Sequence, residues 1–191
     1  MEGPMMTMSL PLVSPPYHPK VAEVMDKVEF GLSPQGLMRG LAHHPRLFGN
    51  LMAIGGTIMF RTSLDARLRE LAILRTAART RCEYEWGMHV ALFREPCRLA
   101  DAELASLQHG APEDSCWTET EGLVLRVVDE LHDQSTLSDG TWARVQGQFD
   151  PAAIVELMAT VGNYHMLAYF LNACRIPLEE GAARFSARTP R

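Results

Sequence analysis

Residues 63–78 carry the pattern that most constrains what this chain can fold into. Ser63 is a good helix N-cap before Leu64-Asp65, and Asp65 suits the positive end of a helix dipole. Leu64, Leu68, Leu71, Ala72, Leu74 and Ala78 then form an apolar stripe. Steps of three and four residues put such a stripe on one side of a helix, which must bury it against other elements. No segment alternates with period two for long enough to predict a strand.

The rest of the chain repeats the helical signal between breakers. Val21, Val24, Met25 and Val28 predict a short helix from Lys20 to near Gly31. Ser33-Pro34 opens a second over 35–43, and Pro45 a third, with Gly49, Gly55 and Gly56 placed for close helix contact or a kink. Further helices are expected over 82–95, stopped by Pro96, and from about Asp101 to His109. Thr118 with Glu121 is a capping box ahead of Leu123, Val124, Val127, Val128 and Leu131. Ser138-Asp139 begins a short helix, and Asp150-Pro151 caps the longest, 152–173. The expected fold is all-α, a bundle of about eight helices, because short joints force antiparallel neighbours.

The first nineteen residues hold five prolines and read as an arm that wraps a neighbour or stays loose; residues 20–178 form the domain, and 179–191 a frayed tail. The net charge of −5 argues against a general nucleic-acid binder. No apolar run reaches the length of a membrane span, and the N-terminus lacks the basic region of a signal peptide. Cysteines 82, 97, 116 and 174 have no scaffold spacing, so the expected compartment is the reducing cytoplasm.

Residues 81–89, Arg-Cys-Glu-Tyr-Glu-Trp-Gly-Met-His, concentrate the chemistry. On a helix Cys82, Glu85, Trp86 and His89 share a face, so a thiol, a carboxylate and an imidazole converge beside an indole. If the 64–78 helix runs antiparallel to this one through a joint near residue 80, Glu70 returns beside His89, their heights matching within about 1.5 Å. The bland alternative is a core tryptophan and a hydrogen-bonded structural histidine. Glu70, Glu85, His89 and His165 could also be assembled into a metal site, but there is no H-E-x-x-H and no dense Cys/His cluster, so no metal is expected.

Arg69 to Arg75, Cys82, Tyr84-Glu85-Trp86 and His89, with the later Glu156-Leu157-Met158 and Gly162 to Ala168, resemble the carboxymuconolactone decarboxylase family of the AhpD-like fold, over about residues 45–175. The resemblance implies a cofactor-free enzyme that associates as a trimer or hexamer. In the family's hydroperoxidase branch a glutamate, a C-x-x-C pair and a histidine act together. They correspond to Glu70, Cys82, position 85 and His89, and position 85 is glutamate here, so the second thiol is missing. The decarboxylase branch keeps the Tyr-Glu-Trp-x-x-His pattern and acts on a small unsaturated lactone acid. Pro96 to Ala100 departs from that branch's Gly-Leu-Ser.

The expectation is therefore a cofactor-independent lyase or isomerase working by proton transfer on a small carbonyl or lactone acid. Glu70, Glu85 and His89 are the expected catalytic groups. Cys82, Trp86, Tyr164, His165 and Tyr169 are expected in the pocket, with Arg75 among the arginines available for a substrate carboxylate. The partners expected are a small-molecule substrate and further copies of the chain, with no nucleic acid and no membrane. The rivals are a thiol peroxidase using Cys82 and a non-catalytic small-molecule binder.

Overall fold

The computed structural model describes residues 9–26, 35–60 and 63–186. Among them the chain forms nine α-helices and no strand: α1 (Pro19–Met25), α2 (Gln35–Leu41), α3 (Pro45–Phe60), α4 (Ala66–Arg79), α5 (Glu83–Phe93), α6 (Asp101–His109), α7 (Glu119–Gln134), α8 (Asp139–Gln148) and α9 (Pro151–Ala173). The expected end of the first helix near Gly31 and the Ser33-Pro34 opening of the second lie outside the described residues. None of the described helices is long and apolar enough to cross a membrane.

The architecture is organised around α4. Nine consecutive residues, Arg69 to Ala77, are buried. Three apolar clusters meet on this helix: Ile73 faces the one built with α1–α3 and the end of α9. Ala72 faces the cluster of α7, α8 and the first half of α9. Leu71, Leu74 and Ala77 face α5, α6 and α7. The apolar stripe read from the sequence is thus only part of a helix wrapped on all sides, and its buried polar residues need partners. Arg75 forks onto Asp129 at 2.8 and 2.7 Å and also donates to the carbonyls of Leu107 and Gly110. That ties α4 to α7 and supplies donors to the end of α6, where helical carbonyls lack intrahelical partners.

Helix starts follow local chemistry. Thr118 and Glu121 form the expected capping box on α7, and Asp150 accepts from Ala153 N at 2.8 Å ahead of α9. The cap of α4 is one correction: Asp65, not Ser63, accepts from the Arg67 and Leu68 amides at 2.9 and 3.3 Å. Its carboxylate is an acceptor in place at the positive helix end, while Ser63 donates its amide to Glu156 at 2.6 Å. The glycines of α3 are a second. A Cβ at Gly49, Gly55 or Gly56 would meet nothing within 4 Å, so they mediate no close helix contact.

The first and last described segments are also tied down. Leu10 N donates to Cys174 O, Val13 exchanges bonds with Arg39, and Leu10, Leu12, Val13 and Tyr17 pack on the core. Residues 9–18 therefore lie along their own chain; residues 1–8 of the expected arm are outside the described set. Residues 179–186, expected to fray, are held as a strap; residues 187–191 of the expected tail lie outside the described residues. Glu179 accepts from the Tyr84 hydroxyl and the Gly36 amide, Ala183 N donates to Gly87 O, and Phe185 packs on Trp86 with ring centroids 5.3 Å apart. The close crossing requires glycine at 87, since a Cβ there would lie 2.4 Å from the Ala183 oxygen. Gly87→Ala is expected to lift the strap, with an overpacking cost of about 1–3 kcal/mol. Limited proteolysis within 179–186 should accelerate and tryptophan emission should shift to the red. Unchanged protection would refute the contact.

Candidate active site

The antiparallel pair α4–α5 turns through Thr80, Arg81 and Cys82, with Arg81 in the left-handed region at φ 54°. Cys82 is the N-cap of α5, not part of its helical face: its amide donates to Ala77 O at 2.8 Å and its carbonyl accepts from Trp86 N at 3.1 Å. The return of α5 along α4 places His89 Nδ1 2.7 Å from Glu70 Oε2. Glu70 is fully buried, and its other oxygen accepts from Arg69 Nε at 3.0 Å and Nη2 at 2.9 Å. Arg69 is itself buried, with Nη1 on the Met59 carbonyl and its guanidinium 5.9 Å from the Phe93 ring centre. The chain of contact runs Arg69–Glu70–His89, with Nδ1–H of the imidazole donating to the carboxylate and Nε2 left facing outward.

Nε2 lies 3.6 Å from Glu85 Oε2, one helical turn back on α5. Phe93 stacks on the imidazole and Tyr164 of α9 meets it edge-on, at 5.3 and 5.1 Å between centroids. Glu85 and His89 open into a cavity of about 350 Å³. Its walls come from α2, α3, α5 and α9; Leu37, Met38, Leu51, Met52 and Leu92 are among them, and Tyr84, Asn163 and Tyr164 supply the other polar groups. Gly55 and Gly56 are at its edge, where their missing side chains leave open space.

Burial drives the electrostatics. It pushes the Glu85 carboxyl above the ordinary 4.5, with Glu70 adding and His89 opposing. For His89 burial acts downward, but the charge of Glu70 and its hydrogen bond outweigh it, with Glu85 adding, so the imidazole is held above 6.5. Both groups keep protons where free side chains would release them. Glu85 Oε1 is buried and has no hydrogen-bond partner. A buried oxygen without a partner is uncommon in a folded chain and points to a group that arrives with a ligand.

Other expected site residues lie elsewhere. Trp86 faces the cluster with Leu71, Leu74 and Phe185, because α5 is buried on both sides and a 100° step carries residue 86 from one cluster to the next. Arg75 is committed to Asp129 and to carbonyls, on the rim of a separate, wider hollow between the ends of α4, α6 and α7. His165 pairs with His132 at 2.9 Å and bonds the Val161 carbonyl, while Tyr169 is 66% exposed beside it. Both are turned away from the cavity, His165 against α7 and Tyr169 toward the outer side of α9. Cys82 is buried and does not line the cavity; burial, then Glu85, pushes its thiol up to about 12. Native Cys82 is therefore expected to react with iodoacetamide at pH 8 at least about a hundredfold more slowly than an exposed thiol. Mass spectrometry of tryptic peptides reads this directly, and prompt labelling would overturn it.

Sequence reasoning missed Arg69, Phe93 and the methionines of the cavity wall. Arg69 was hidden by its position beside Glu70, off the stripe that helical spacing selects. Phe93 is four residues beyond His89, and that i, i+4 spacing was the available signal.

Residues 45–106, which span α3 to α6 and hold Glu70, Glu85 and His89, match the carboxymuconolactone decarboxylase family. No curated protein matches the sequence significantly. Solved structures share the fold. An uncharacterized peroxidase-related protein from Silicibacter sp. TM1040 superposes with a TM-score of 0.71 at 16% identity, covering 90% of this chain and 92% of that one. The alkylhydroperoxidase AhpD core of a peroxidase-related protein from Ralstonia eutropha JMP134 gives 0.69 at 16% identity, covering 84% of each. The debrominase Bmp8, a cysteine-to-alanine variant in complex with 2,3,4-tribromopyrrole, gives 0.74 at 13% identity, covering 92% and 94%.

Proposed function

We propose, for a chain of the carboxymuconolactone decarboxylase family with the AhpD-like fold, that it is a cofactor-independent enzyme transferring protons to and from carbon in a small carbonyl or lactone compound. The observation that carries this reading is the ordered set Arg69–Glu70–His89 beside Glu85, a cavity-lining residue whose buried Oε1 is unpartnered. Glu70 orients His89 through Nδ1 and balances Arg69. Nε2 and the Glu85 carboxyl are then the two groups able to exchange a proton with a bound molecule. In an isomerisation the neutral form of His89, with Nδ1–H on Glu70, removes a proton from carbon at Nε2, the electron pair moves into an enol or enolate, and the proton returns at another carbon. In a decarboxylation the C–C bond to the carboxylate breaks, the pair enters a dienolate, and the same groups protonate it. Neither route needs a further reactant. A positioned acid or base contributes about 10²–10⁴-fold, and hydrogen bonding to the developing oxyanion adds to it.

The thiol-peroxidase reading draws support from the peroxidase-related neighbours. Against it stand the glutamate at position 85 and the buried, proton-retaining Cys82 that does not line the cavity. The test is deuterium incorporation from D₂O, followed by NMR, over a panel of lactone acids, β-keto acids and neutral enones, beside peroxide consumption with a dithiol reductant. Exchange that vanishes in His89→Ala supports the reading. Peroxide turnover that requires Cys82, with no exchange, replaces it.

Self-association is part of the proposal. The outer side of α9 exposes Val155, Ala159, Gly162, Met166, Tyr169 and Ala173 at alternating steps of four and three. Val155 and Tyr169 are 69% and 66% exposed, on a spacing that suits helix–helix packing. Wild type should scatter light as an oligomer at micromolar concentration, and Met166→Glu with Tyr169→Glu as a smaller species. A monomeric wild type would refute this.

A further inference from the structure

The walls of the cavity constrain the compound more tightly than the reaction does. Met38, Met52, Met59 and Met88 contribute soft, adaptable surface, together with Leu51 and Phe93. At about 350 Å³ the space is at the small end of ligand cavities. Its strongly polar spot is Glu85, whose side chain is 5% exposed and whose Oε1 lacks a partner.

The groups around Glu85 determine what that oxygen offers. From α4 come Glu70 and Arg69, and the guanidinium is occupied by Glu70 and by the Met59 carbonyl. From α5 come His89, Tyr84 and the capping Cys82, and from α9 Tyr164 and Asn163. Among the described residues no lysine or arginine lines the cavity. A bound carboxylate would thus find no arginine or lysine, and the one imidazole it meets, His89, is already held by Glu70. Burial holds Glu85 toward its neutral form, and a neutral carboxyl donates a hydrogen bond.

We propose that the cavity takes an uncharged, largely apolar unsaturated ketone, one ring in size with a short substituent, whose carbonyl oxygen accepts a hydrogen bond from Glu85 while His89 faces the adjacent carbon. For turnover this rests on the proton-transfer reading; for binding it does not. The step balances without a co-reactant. The C–H bond next to the carbonyl breaks, its proton goes to His89 Nε2, the electron pair forms the enol double bond, and the carbonyl oxygen takes the Glu85 proton. Reversal at the same or the conjugated carbon restores both residues.

Three probes of one shape separate the contributions. Benzylideneacetone carries the ketone, trans-cinnamate replaces its methyl with a carboxylate oxygen, and β-ethylstyrene has no acceptor. Binding to the full-length protein is followed by calorimetry and by NMR of the probe. Benzylideneacetone is expected to bind at least about tenfold more tightly than either of the others, the worth of one buried hydrogen bond. Its affinity should fall as pH rises and Glu85 ionises. Glu85→Gln, whose amide still donates, should keep the ketone within about threefold and lose the pH dependence, whereas Glu85→Ala should lose about tenfold. Cinnamate binding as tightly as the ketone, or no saturable ketone binding, would overturn the proposal, and β-ethylstyrene matching the ketone would remove the role of Glu85. If the ketone binds as expected and no carbonyl compound exchanges deuterium, the binding inference stands and proton transfer is the part that fails.

Discussion

His89→Ala should lower kcat/KM for proton exchange by about 10²-fold or more, while Cys82→Ala should cost less than about tenfold. The difference follows from placement. His89 Nε2 faces the cavity with its other nitrogen fixed 2.7 Å from Glu70, whereas the Cys82 thiol is buried off the cavity and holds its proton. Alanine at 89 leaves Glu70 Oε2 without its donor, so a loss of rate could reflect damage to the fold. His89→Asn separates the two effects, because its amide can still donate toward Glu70 but cannot titrate. Equal losses in the alanine and asparagine variants, both folded by circular dichroism, identify the missing proton carrier. Wild-type rates in either would remove His89 from the mechanism.

The same pair gives stability a definite slope with pH. Glu85 and His89 both have folded values above their unfolded ones, ordinarily 4.5 and 6.5. Between its unfolded and folded values each group binds more protons in the native state, so stability falls as pH rises through that range. For Glu85 the loss begins above 4.5, and for His89 above 6.5. Denaturant titrations of Glu85→Gln should show a shallower decline than wild type over the Glu85 range. An unchanged slope would mean that Glu85 titrates like an exposed carboxyl.

The helices were legible because their signals are local. The capping box at Thr118 and the Asp150-Pro151 start act within one turn, and the proximity of Glu70 and His89 follows from equal distances to a short joint. Facing was less legible, since Tyr84 to Val90 are all buried and α5 has no solvent side from which a face can be read. Trp86 faces the cluster with Leu71 and Leu74, while Glu85 lines the cavity, for that reason. His165 and Tyr169 failed similarly: α9 is apolar on nearly all sides, so neighbouring sequence positions did not distinguish the cavity side, with Tyr164, from the outer one. Arg69 lies beside Glu70 and off the apolar stripe, and the docking of 179–186 depends on contacts between segments distant in the chain, neither of which helical periodicity encodes.

Glu70→Ala should be the most destabilising single change in the site, by about 3–5 kcal/mol. Glu70 is fully buried and answers both Arg69 and His89. Its removal leaves an arginine at 5% exposure without a counter-charge, and guanidinium does not escape by losing its proton. His89 loses the charge and hydrogen bond that raise its pKa, so burial acts unopposed apart from Glu85, and its titration, followed by NMR, should move downward. The sign of the pH effect follows. The His89 contribution is fully present below 6.5 and is lost as pH rises through the folded value, so the deficit relative to wild type should be larger at pH 6 than at pH 9. Replacing both members of the buried pair, Arg69→Met with Glu70→Leu, removes the orphaned charge and should restore stability to within about 1–2 kcal/mol, because apolar groups of similar volume replace buried ion pairs at little cost. Activity should stay low in the double variant, since His89 has lost its orienting acceptor. A Glu70→Ala protein as stable as wild type in guanidinium chloride would show that the Arg69–Glu70–His89 contacts do not hold in solution. A double variant with full activity would show that Glu70 stabilises the fold without positioning His89.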